Sequence, residues 1–291
     1  MFAHKPFLIK MALVQHHDGT FESADRLSLY EQSWSPQSPI ASVVIVHGYA
    51  EHSTRYAETA LHLTEQGFAV YSFDLRGHGK SGGNRCLVRS FDQHVFDLGH
   101  FIQRLHAEQT HPPLFLLGHS MGSAIVLLYA LQHQASLQGV ITSGTILDLD
   151  RTLSWWQPQA LAWLSQLMPA LPTQTIDRRD LSRDPEVGKA YEADPLIYRG
   201  GIPTRTASEM IRATHKLQSS LSSFTLPLLI LHGTTDRIAP ASGSQKLYEA
   251  SRSADKTLKL YDGLYHEILH ESERTEVLQD ITQWLKARSI N

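Results

Sequence analysis

Short apolar, β-rich runs alternate with longer segments of helical periodicity along most of this 291-residue chain. Because parallel neighbours in a sheet must be joined by a crossover, such alternation is typical of a mostly parallel sheet flanked by helices. The apolar runs cover residues 42–47, 68–74, 114–118, 139–143, 228–232 and 257–261, and the helical segments cover 55–66, 91–108, 121–134, 242–251 and 273–286. We therefore predict an α/β fold, in which residues 20–30 supply one or two leading strands as an antiparallel hairpin at the sheet edge.

The alternation stops between residues 146 and 223, where the composition changes to Trp, Leu, Pro and scattered charge. This break divides the chain into an α/β core, residues 1–145 and 224–291, and an inserted helical cap, residues 146–223. One large domain with an insertion also agrees with the length, because α/β enzymes of this size are often built around a single sheet.

A strongly apolar helix is predicted inside the cap, which also holds three of the five tryptophans. Apolar residues recur there at the spacing of one helical face, namely Trp156, Ala160, Trp163, Leu164 and Leu167. Two interpretations stay open. The helix packs on the core, or its side chains line an acyl-chain pocket or touch lipid, in which case the substrate contacts are Trp155, Trp156, Trp163 and Leu167.

The charge balance and the single cysteine limit the partners and the compartment. Lys and Arg number 26 against 29 Asp and Glu, so no excess of positive charge favours nucleic acid or an acidic membrane. One cysteine cannot form an internal disulfide, which fits a reducing compartment. The start has no signal-peptide pattern, and no run approaches the roughly 18 apolar residues of a membrane span. We expect a cytoplasmic protein, and a peripheral contact with a membrane through the cap stays open.

Residues 118–122 read Gly-His-Ser-Met-Gly between an apolar run and a helical segment. A nucleophile elbow needs this context, because the strand ends, the two glycines allow a tight turn, and Ser120 then projects at a helix N-terminus. The pattern alone would occur by chance in about one such chain in ten. Its position between a strand and a helix therefore carries the prediction that Ser120 is a nucleophile.

A base and an acid should follow the nucleophile. A serine hydroxyl becomes reactive when a base takes its proton, and in this fold the acid and then the histidine follow at later strand ends. Asp236 follows the run 228–232, and His266 follows the run 257–261. We therefore predict a triad in which His266 is the base for Ser120 and Asp236 orients that base.

An oxyanion hole requires two backbone N–H groups directed at the charge that develops on the substrate. The residue after the nucleophile, Met121, supplies the first of them. The loop after the run 42–47 supplies the second, and Gly48 lets its backbone come close. Tyr49 is therefore the predicted second donor.

These motifs together resemble those of the monoacylglycerol lipase and lysophospholipase family of α/β-hydrolases. The similar segments span nearly the whole chain outside much of the cap, and they include residues 47–56, 73–81, 118–122, 232–236 and 261–267. The resemblance implies cleavage of an acyl ester from glycerol or a related head group through an acyl-serine intermediate. It further implies a small lipid ester as substrate, with no cofactor.

The resemblance also implies a role for two residues of the oxyanion loop. In relatives, the acid and the arginine of this loop help to form the polar end of the substrate pocket, which here would be Glu51 and Arg55. The alternative, an ion pair that only braces the loop, stays open. Tyr49 and Ala50 replace a smaller pair found in some relatives, which could change the width of the pocket.

Three other functions agree with parts of the sequence. Residues 266–270 read His-Glu-Ile-Leu-His, the signature of zinc peptidases. A zincin carries that signature inside a helix, whereas here it follows a strand and a turn, so no metal site is expected. A peptidase or another small-ester hydrolase could use the same triad. A non-catalytic binding protein could keep the scaffold, although an intact triad argues against it.

Overall fold

An eight-stranded sheet forms the centre of the computed structural model, which describes residues 14–108, 113–149, 153–154 and 156–289. The strands are β1 (Gln15–Glu22), β2 (Ser28–Ser35), β3 (Ala41–Val46), β4 (Phe68–Phe73), β5 (Leu114–His119), β6 (Gly139–Ser143), β7 (Leu228–Gly233) and β8 (Lys256–Tyr261). Their order across the sheet is β1-β2-β4-β3-β5-β6-β7-β8. The pairs β1–β2 and β2–β4 are antiparallel and the other pairs are parallel. The predicted α/β fold, with its antiparallel edge hairpin, is confirmed.

Helices cover the sheet and connect its strands. They are α1 (Ala57–Glu65), α2 (Asp92–Glu108), α3 (Met121–Gln132), α4 (Gln157–Leu167), α5 (Pro185–Ala193), α6 (Thr204–Ser220), α7 (Ser242–Ala250) and α8 (Arg274–Ser289). Across the described ranges, none of them is both long and apolar enough to span a membrane.

The first helix begins later than the predicted residue 55, because Ser53–Tyr56 forms a 3₁₀ turn instead. Asp74, which follows β4, accounts for the difference. Its Oδ1 accepts hydrogen bonds from the Ser53 N–H at 2.8 Å and from the Ser53 hydroxyl at 2.6 Å. These bonds fix the chain in a tighter turn before the α-helix begins at Ala57.

The central strands, β3 to β7, are buried on both faces and carry apolar side chains at consecutive positions. In β3, Val44 and Val46 join the apolar cluster on one face, and Val43 and Ile45 join the cluster on the other. All four are fully buried, and each such side chain contributes about 1.5 to 3 kcal/mol to folding. The carboxyl ends of the parallel strands therefore form one well-supported edge, where loops can hold functional side chains.

Helices α4, α5 and α6 lie between β6 and β7 in the chain, where the cap is predicted. Helix α6 packs against α3, and α4 packs against α6. Hydrogen bonds fix the start of α6 to the chain after α4, with Thr204 N–H donating to Leu171 O at 2.8 Å and Arg205 N–H donating to Pro169 O at 3.1 Å. Helix α4 is thus an outer layer that α6 separates from α3.

The chain on either side of α5 is bound to loops at the carboxyl edge of the sheet. Glu267 N–H donates to Leu181 O at 2.8 Å, and Tyr198 N–H donates to Ala50 O at 3.0 Å. This part of the predicted cap is therefore joined to the α/β core by directional bonds.

Candidate active site

Ser120 stands at a sharp turn between β5 and α3. Its backbone has φ 52° and ψ −119°, a conformation that residues other than glycine rarely adopt. The turn is fixed because Ser120 N–H donates to Ser143 O on β6 at 2.9 Å. Ser120 is thereby held at the N-terminus of α3, as the elbow motif predicts.

Close backbone contacts require both glycines of the elbow. A Cβ at Gly118 would lie 2.4 Å from Gly122 O, and a Cβ at Gly122 would lie 2.1 Å from Val46 O. These two carbonyl oxygens belong to the backbones of α3 and β3, so they cannot move aside unless the helix or the strand moves as well. A larger residue at either position would displace the turn that carries Ser120.

The structure brings the three predicted triad residues together at the carboxyl edge of the sheet. His266 Nε2 lies 2.9 Å from Ser120 Oγ, and His266 Nδ1 lies 2.6 Å from Asp236 Oδ2. Because a carboxylate only accepts hydrogen bonds, Nδ1 carries the proton. His266 Nε2 is then the acceptor for the Ser120 hydroxyl. The side chains of His266 and Asp236 are both buried.

Asp236 is fixed by further hydrogen bonds besides that of His266. Its Oδ1 accepts from the N–H groups of Ile238 and Ala239 at 2.8 and 2.9 Å, and His232 Nε2 lies 3.0 Å from Oδ2. Burial would raise the pKa of Asp236, but the charge of His266 and these bonds hold that pKa well below its usual range. The carboxylate therefore stays ionised next to His266.

The histidines at Ser120 have opposite pKa shifts. Burial would lower the pKa of His266, but the charge of Asp236 outweighs it and the pKa is raised. The ring of His119 lies 4.8 Å from that of His266, and burial, with the charge of His266, lowers the pKa of His119 to about 3. His119 therefore stays neutral, whereas His266 is suited to accept a proton.

The loop after β3 lies against Ser120, as the predicted oxyanion hole requires. A Cβ at Gly48 would lie 3.1 Å from Ser120 Cβ, so the backbone approaches the nucleophile as closely as glycine allows. Tyr49 follows directly. Met121 is the first residue of α3, and an N–H group at that position has no acceptor within its own helix. Both predicted oxyanion donors are therefore next to Ser120.

Glu51 holds that loop in place. Its Oε1 accepts from Gly48 N–H at 2.6 Å and from the Tyr56 hydroxyl at 2.8 Å, and its Oε2 accepts from Arg55 Nη1 at 2.7 Å. Burial would raise the pKa of Glu51, but the charge of Arg55 lowers it to about 2. Glu51 and Arg55 therefore brace the loop, and their role at the polar end of the substrate pocket stays a prediction.

Arg55 also binds Glu267, a residue outside the predicted site. Its Nη1 and Nη2 each donate to one Glu267 oxygen at 2.6 Å. Glu267 directly follows His266 and is 3% exposed. A sequence signal for it exists, because an unpaired acid among apolar neighbours is costly to bury. Those neighbours are Leu264, Ile268 and Leu269.

Gly144 and His232 also belong to the site, although the motifs did not identify them as site residues. A Cβ at Gly144, where φ is 58°, would lie 3.0 Å from His266 Cε1, so this glycine leaves room for the imidazole. His232 donates through Nε2, and its Nδ1 accepts from Ser244 Oγ at 2.7 Å. The sequence signal for His232 is a polar residue at the end of the apolar run that forms β7.

The apolar stripe of α4 lies on an exposed surface. Trp156, Trp163 and Leu167 are 53%, 76% and 80% exposed. Trp155, also a predicted substrate contact, lies outside the described residues. The interpretation in which the stripe packs on the core is therefore wrong for these side chains. Their role in binding substrate stays a prediction.

A cavity of about 250 Å³ opens beside the oxyanion loop, with Tyr49 and Ala50 in its wall. Tyr191 and Tyr198 line it from the segment around α5. The charged residues of its lining have protein partners. Arg178 pairs with Glu192, Asp177 pairs with Arg179, and Arg199 donates to the main-chain carbonyls of residues 192 and 194.

The segment 266–270 does not have the geometry of a zinc site. It lies in turns rather than in a helix, and both ring nitrogens of His266 are engaged by Ser120 and Asp236. Glu267 is paired with Arg55. Among the residues whose positions the structure gives, no group of three or more His, Cys, Asp or Glu is arranged to hold a metal ion. The zinc alternative is therefore not supported by the geometry.

Known proteins resemble the chain over most of its length. A family model described as serine aminopeptidase, S33, matches residues 37–273. The monoacylglycerol lipase of Mycolicibacterium smegmatis is 37% identical over 255 residues, which cover 87% of this chain and 90% of that protein. The monoglyceride lipase of Homo sapiens is 33% identical over 272 residues, which cover 92% of this chain and 89% of that protein.

A solved structure agrees with this relationship. The crystal structure of the Paleococcus ferrophilus monoacylglycerol lipase matches with a TM-score of 0.79 at 29% identity, and the match covers 94% of this chain and 99% of that one. The family match, the identities and the common fold lead to the same assignment. The chain belongs to the monoacylglycerol lipase family of α/β-hydrolases and is a serine ester hydrolase.

Proposed function

We propose that this enzyme hydrolyses carboxylic esters of lipids, of the monoacylglycerol or lysophospholipid type, through an acyl-serine intermediate. The observation that carries the proposal is the position of His266, 2.9 Å from Ser120 Oγ and 2.6 Å from Asp236 Oδ2. A serine is activated when a base within hydrogen-bond reach takes its proton and a third group orients that base. Ser120 is the nucleophile, His266 the base and Asp236 the orienting acid.

The reaction has two halves that use the same groups. Ser120 Oγ attacks the ester carbonyl, and its proton passes to His266 Nε2. The N–H groups of Tyr49 and Met121 bind the resulting oxyanion, and its collapse expels the alcohol, which takes the proton from His266. Water then attacks the acyl-serine and gives a proton to His266, and this proton returns to Ser120 Oγ as the fatty acid leaves. Asp236 stays ionised throughout and stabilises the imidazolium.

A lipid substrate is supported by the relatives and by the cap. The two relatives are named for the hydrolysis of monoacylglycerols. Trp163 and Leu167 present apolar surface on α4 that the described part of the chain leaves exposed. Such surface marks an interaction site, and we propose that it makes the peripheral contact with a lipid phase.

The cavity beside Tyr49 favours an uncharged alcohol over a phosphate ester. It lies next to the loop that carries the proposed oxyanion donor, so the alcohol part of the ester would occupy it. A phosphate head group would favour an excess of cations, but the lining holds two arginines, Arg178 and Arg199, against two acids, Asp177 and Glu192. We therefore propose monoacylglycerols as the preferred substrates.

Ser120→Ala tests the function. We expect kcat to fall by about 10⁴-fold or more, because no other nucleophile replaces the hydroxyl. A fluorophosphonate probe should label the wild type at Ser120 and leave the variant unlabelled. Ser136→Ala, at an exposed serine just beyond the C-terminal end of α3, is the matched control and should keep full activity.

The substrate panel should hold monoacylglycerols, lysophospholipids, p-nitrophenyl esters and amino-acid amides. We expect the highest kcat/KM on monoacylglycerols. Labelling at a residue other than Ser120, or activity retained in Ser120→Ala, would exclude the triad. Amide cleavage faster than ester cleavage would favour the peptidase alternative, which the description of the family model also names.

A further inference from the structure

Three buried charges connect the loop that carries the base with the loop after β3. Glu267 follows His266, and its two carboxylate oxygens bind the Arg55 guanidinium at 2.6 Å each. Arg55 Nη1 also donates to Glu51 Oε2 at 2.7 Å. Glu51 Oε1 in turn accepts from Gly48 N–H at 2.6 Å. The contacts form an unbroken path from the base to the residue before Tyr49.

Arg55 contacts the loop that carries His266, residues 262–270 or the base loop, through its main chain as well as its side chain. His270 Nε2 lies 3.0 Å from the Arg55 carbonyl oxygen, which only accepts, so the imidazole donates. The other ring nitrogen of His270, Nδ1, lies 3.2 Å from Glu267 Oε2 without a hydrogen bond. Glu267 itself is fixed at its main chain, where its N–H donates to Leu181 O at 2.8 Å. The base loop is thus fixed relative to Arg55 at several points.

The charges in this path depend on one another because they are shielded from water. Glu51 and Glu267 are buried, and the Arg55 side chain is 11% exposed. One guanidinium serves two carboxylates, and a buried charge that loses its partner is strongly unfavourable. If the Glu267 charge were removed, Arg55 would turn towards Glu51. That movement would change the acceptor that holds Gly48 N–H.

On the basis of the proposed triad, we propose that Glu267 is a positioning residue that acts through Arg55 and Glu51 to fix His266 relative to the oxyanion donor at Tyr49. Glu267 does not touch the substrate, because Arg55 occupies both of its carboxylate oxygens. Acyl transfer needs the base and the oxyanion donors aligned at the same time, and an error of about 1 Å can cost about 10²-fold in rate.

Glu267→Gln tests the assignment, because glutamine keeps the size of the side chain and removes its charge. Monobutyrin and p-nitrophenyl butyrate are the substrates, since they share an acyl group and differ in the alcohol. We expect kcat to fall by about 10- to 100-fold on both substrates, with KM changed by less than about 3-fold. A higher KM on monobutyrin alone would overturn the assignment, because it would mean that this network binds the alcohol.

A double-mutant cycle between Glu267→Gln and Glu51→Gln tests the path itself. If Arg55 transmits the effect, the kcat of the double variant should lie no more than about 3-fold below that of the less active single variant. Its loss should then be at least about 3-fold smaller than the product of the two single losses. Glu276→Gln is the control, because Glu276 is exposed and pairs with Lys259 on the surface. Its effect should be small and multiplicative with that of Glu267→Gln. Multiplicative losses in the Glu51 cycle would overturn the proposal.

Glu267→Asp keeps the measurement decisive if the glutamine variant does not fold. Aspartate retains the charge but is one methylene shorter, so it cannot reach both guanidinium nitrogens from the same backbone. We expect an equal loss of kcat on both esters in this variant, while the fluorophosphonate probe still labels Ser120 to completion, at a lower rate. Wild-type kcat in both variants, with Ser120 still labelled, would overturn the role of Glu267 and leave the triad in place. Absence of labelling at Ser120 in the wild type would instead remove the triad.

Discussion

The carboxyl edge of the sheet and the outer helix α4 both depart from the usual pattern of apolar side chains inside and charged side chains outside. At the edge, the charged Glu51, Arg55 and Glu267 lie inside the protein. On α4, the large apolar side chains of Trp163 and Leu167 lie outside. Charged residues are rarely buried unless they are paired, and contiguous exposed apolar surface marks an interaction site.

The two regions differ in what completes them. Each buried charge at the edge has partners within the chain, so folding alone completes the contacts of this region. Within the residues that the structure describes, Trp163 and Leu167 of the α4 stripe stay exposed, and we propose that a lipid surface covers them. Catalysis at the carboxyl edge therefore depends on contacts inside the protein. In our proposal, access to substrate depends on the lipid surface that α4 contacts.

Among the substitutions that compare the two regions, Asp236→Asn should have the largest effect. We expect kcat on p-nitrophenyl butyrate to fall by about 10³- to 10⁴-fold, because an amide can donate to His266 Nδ1 and leave the imidazole in the wrong tautomer. Steady-state kinetics will measure the loss. Asp262→Asn is the control, at an exposed aspartate in the loop that carries His266, and its kcat should stay within about twofold of the wild type. Activity above a tenth of the wild type in Asp236→Asn would contradict the assigned role of that carboxylate.

Acid should lower the free energy of unfolding, because the interior holds histidines that are buried in the neutral state. Burial lowers the pKa values of His78 and His119 to about 3, from an ordinary value of 6.5. Below pH 6.5 the unfolded chain therefore binds protons that the folded protein excludes. The stability that these neutral histidines provide is complete above pH 6.5 and is lost as the pH falls towards 3, at up to about 1.4 kcal/mol per pH unit for each histidine.

Urea unfolding at pH 7.5, 6.5 and 5.5 will measure this dependence. The raised pKa of His266 acts in the opposite sense, so its stabilising contribution is present at low pH and fades as the pH rises through that value. His78→Gln should reduce the slope below pH 6.5 by about one proton, because glutamine does not titrate. A free energy of unfolding that stays constant between pH 7.5 and 5.5 would contradict the buried neutral state of these histidines.

Polar substitutions on α4 should affect substrate presentation rather than chemistry. For Trp163→Gln with Leu167→Gln, we expect hydrolysis of a long-chain monoacylglycerol in phosphatidylcholine vesicles to fall by about tenfold, because part of the 1.5 to 3 kcal/mol available for each apolar side chain is lost. Hydrolysis of dissolved monobutyrin should change by less than about twofold. Gln159→Ala, on the same helix, is the control. A loss on dissolved long-chain esters, with vesicle binding unchanged, would mean instead that the stripe lines an acyl pocket.

The smallest effect is expected for the stability of those α4 variants. Because Trp163 and Leu167 are exposed, their replacement should change the free energy of unfolding by less than about 0.5 kcal/mol. Leu127→Ala on α3 is the contrast, since Leu127 is fully buried and its truncation should cost about 2 to 5 kcal/mol. Thermal and urea unfolding will compare them. A large loss of stability in the α4 variants would show that the stripe packs on the protein after all.

The residues that the sequence predicted well are those whose role depends on local context. The turn at Ser120 follows from a strand, two glycines and a helix, and Asp236 and His266 follow from their places after β7 and β8. Local context does not predict which residues pair when they are distant along the chain. Arg55 and Glu267 are 212 positions apart, so no motif spacing joins them.

The face of α4 could not be predicted for a different reason. Helical periodicity shows which residues lie on the same side, but it does not show what that side meets. Trp156, Trp163 and Leu167 form the predicted stripe, and the structure places the stripe outwards. The direction depends on how α4 packs against α6, which is a tertiary contact.

The layered arrangement of α3, α6 and α4 has an evolutionary consequence. Helix α4 is carried by α6, so a substitution on its outer surface has only an indirect route to the turn at Ser120. Selection can therefore alter that surface to suit a different lipid environment while the reacting groups keep their positions. Descendants of such an enzyme could move to new membranes or lipid droplets by changing a few surface residues, without passing through an inactive ancestor.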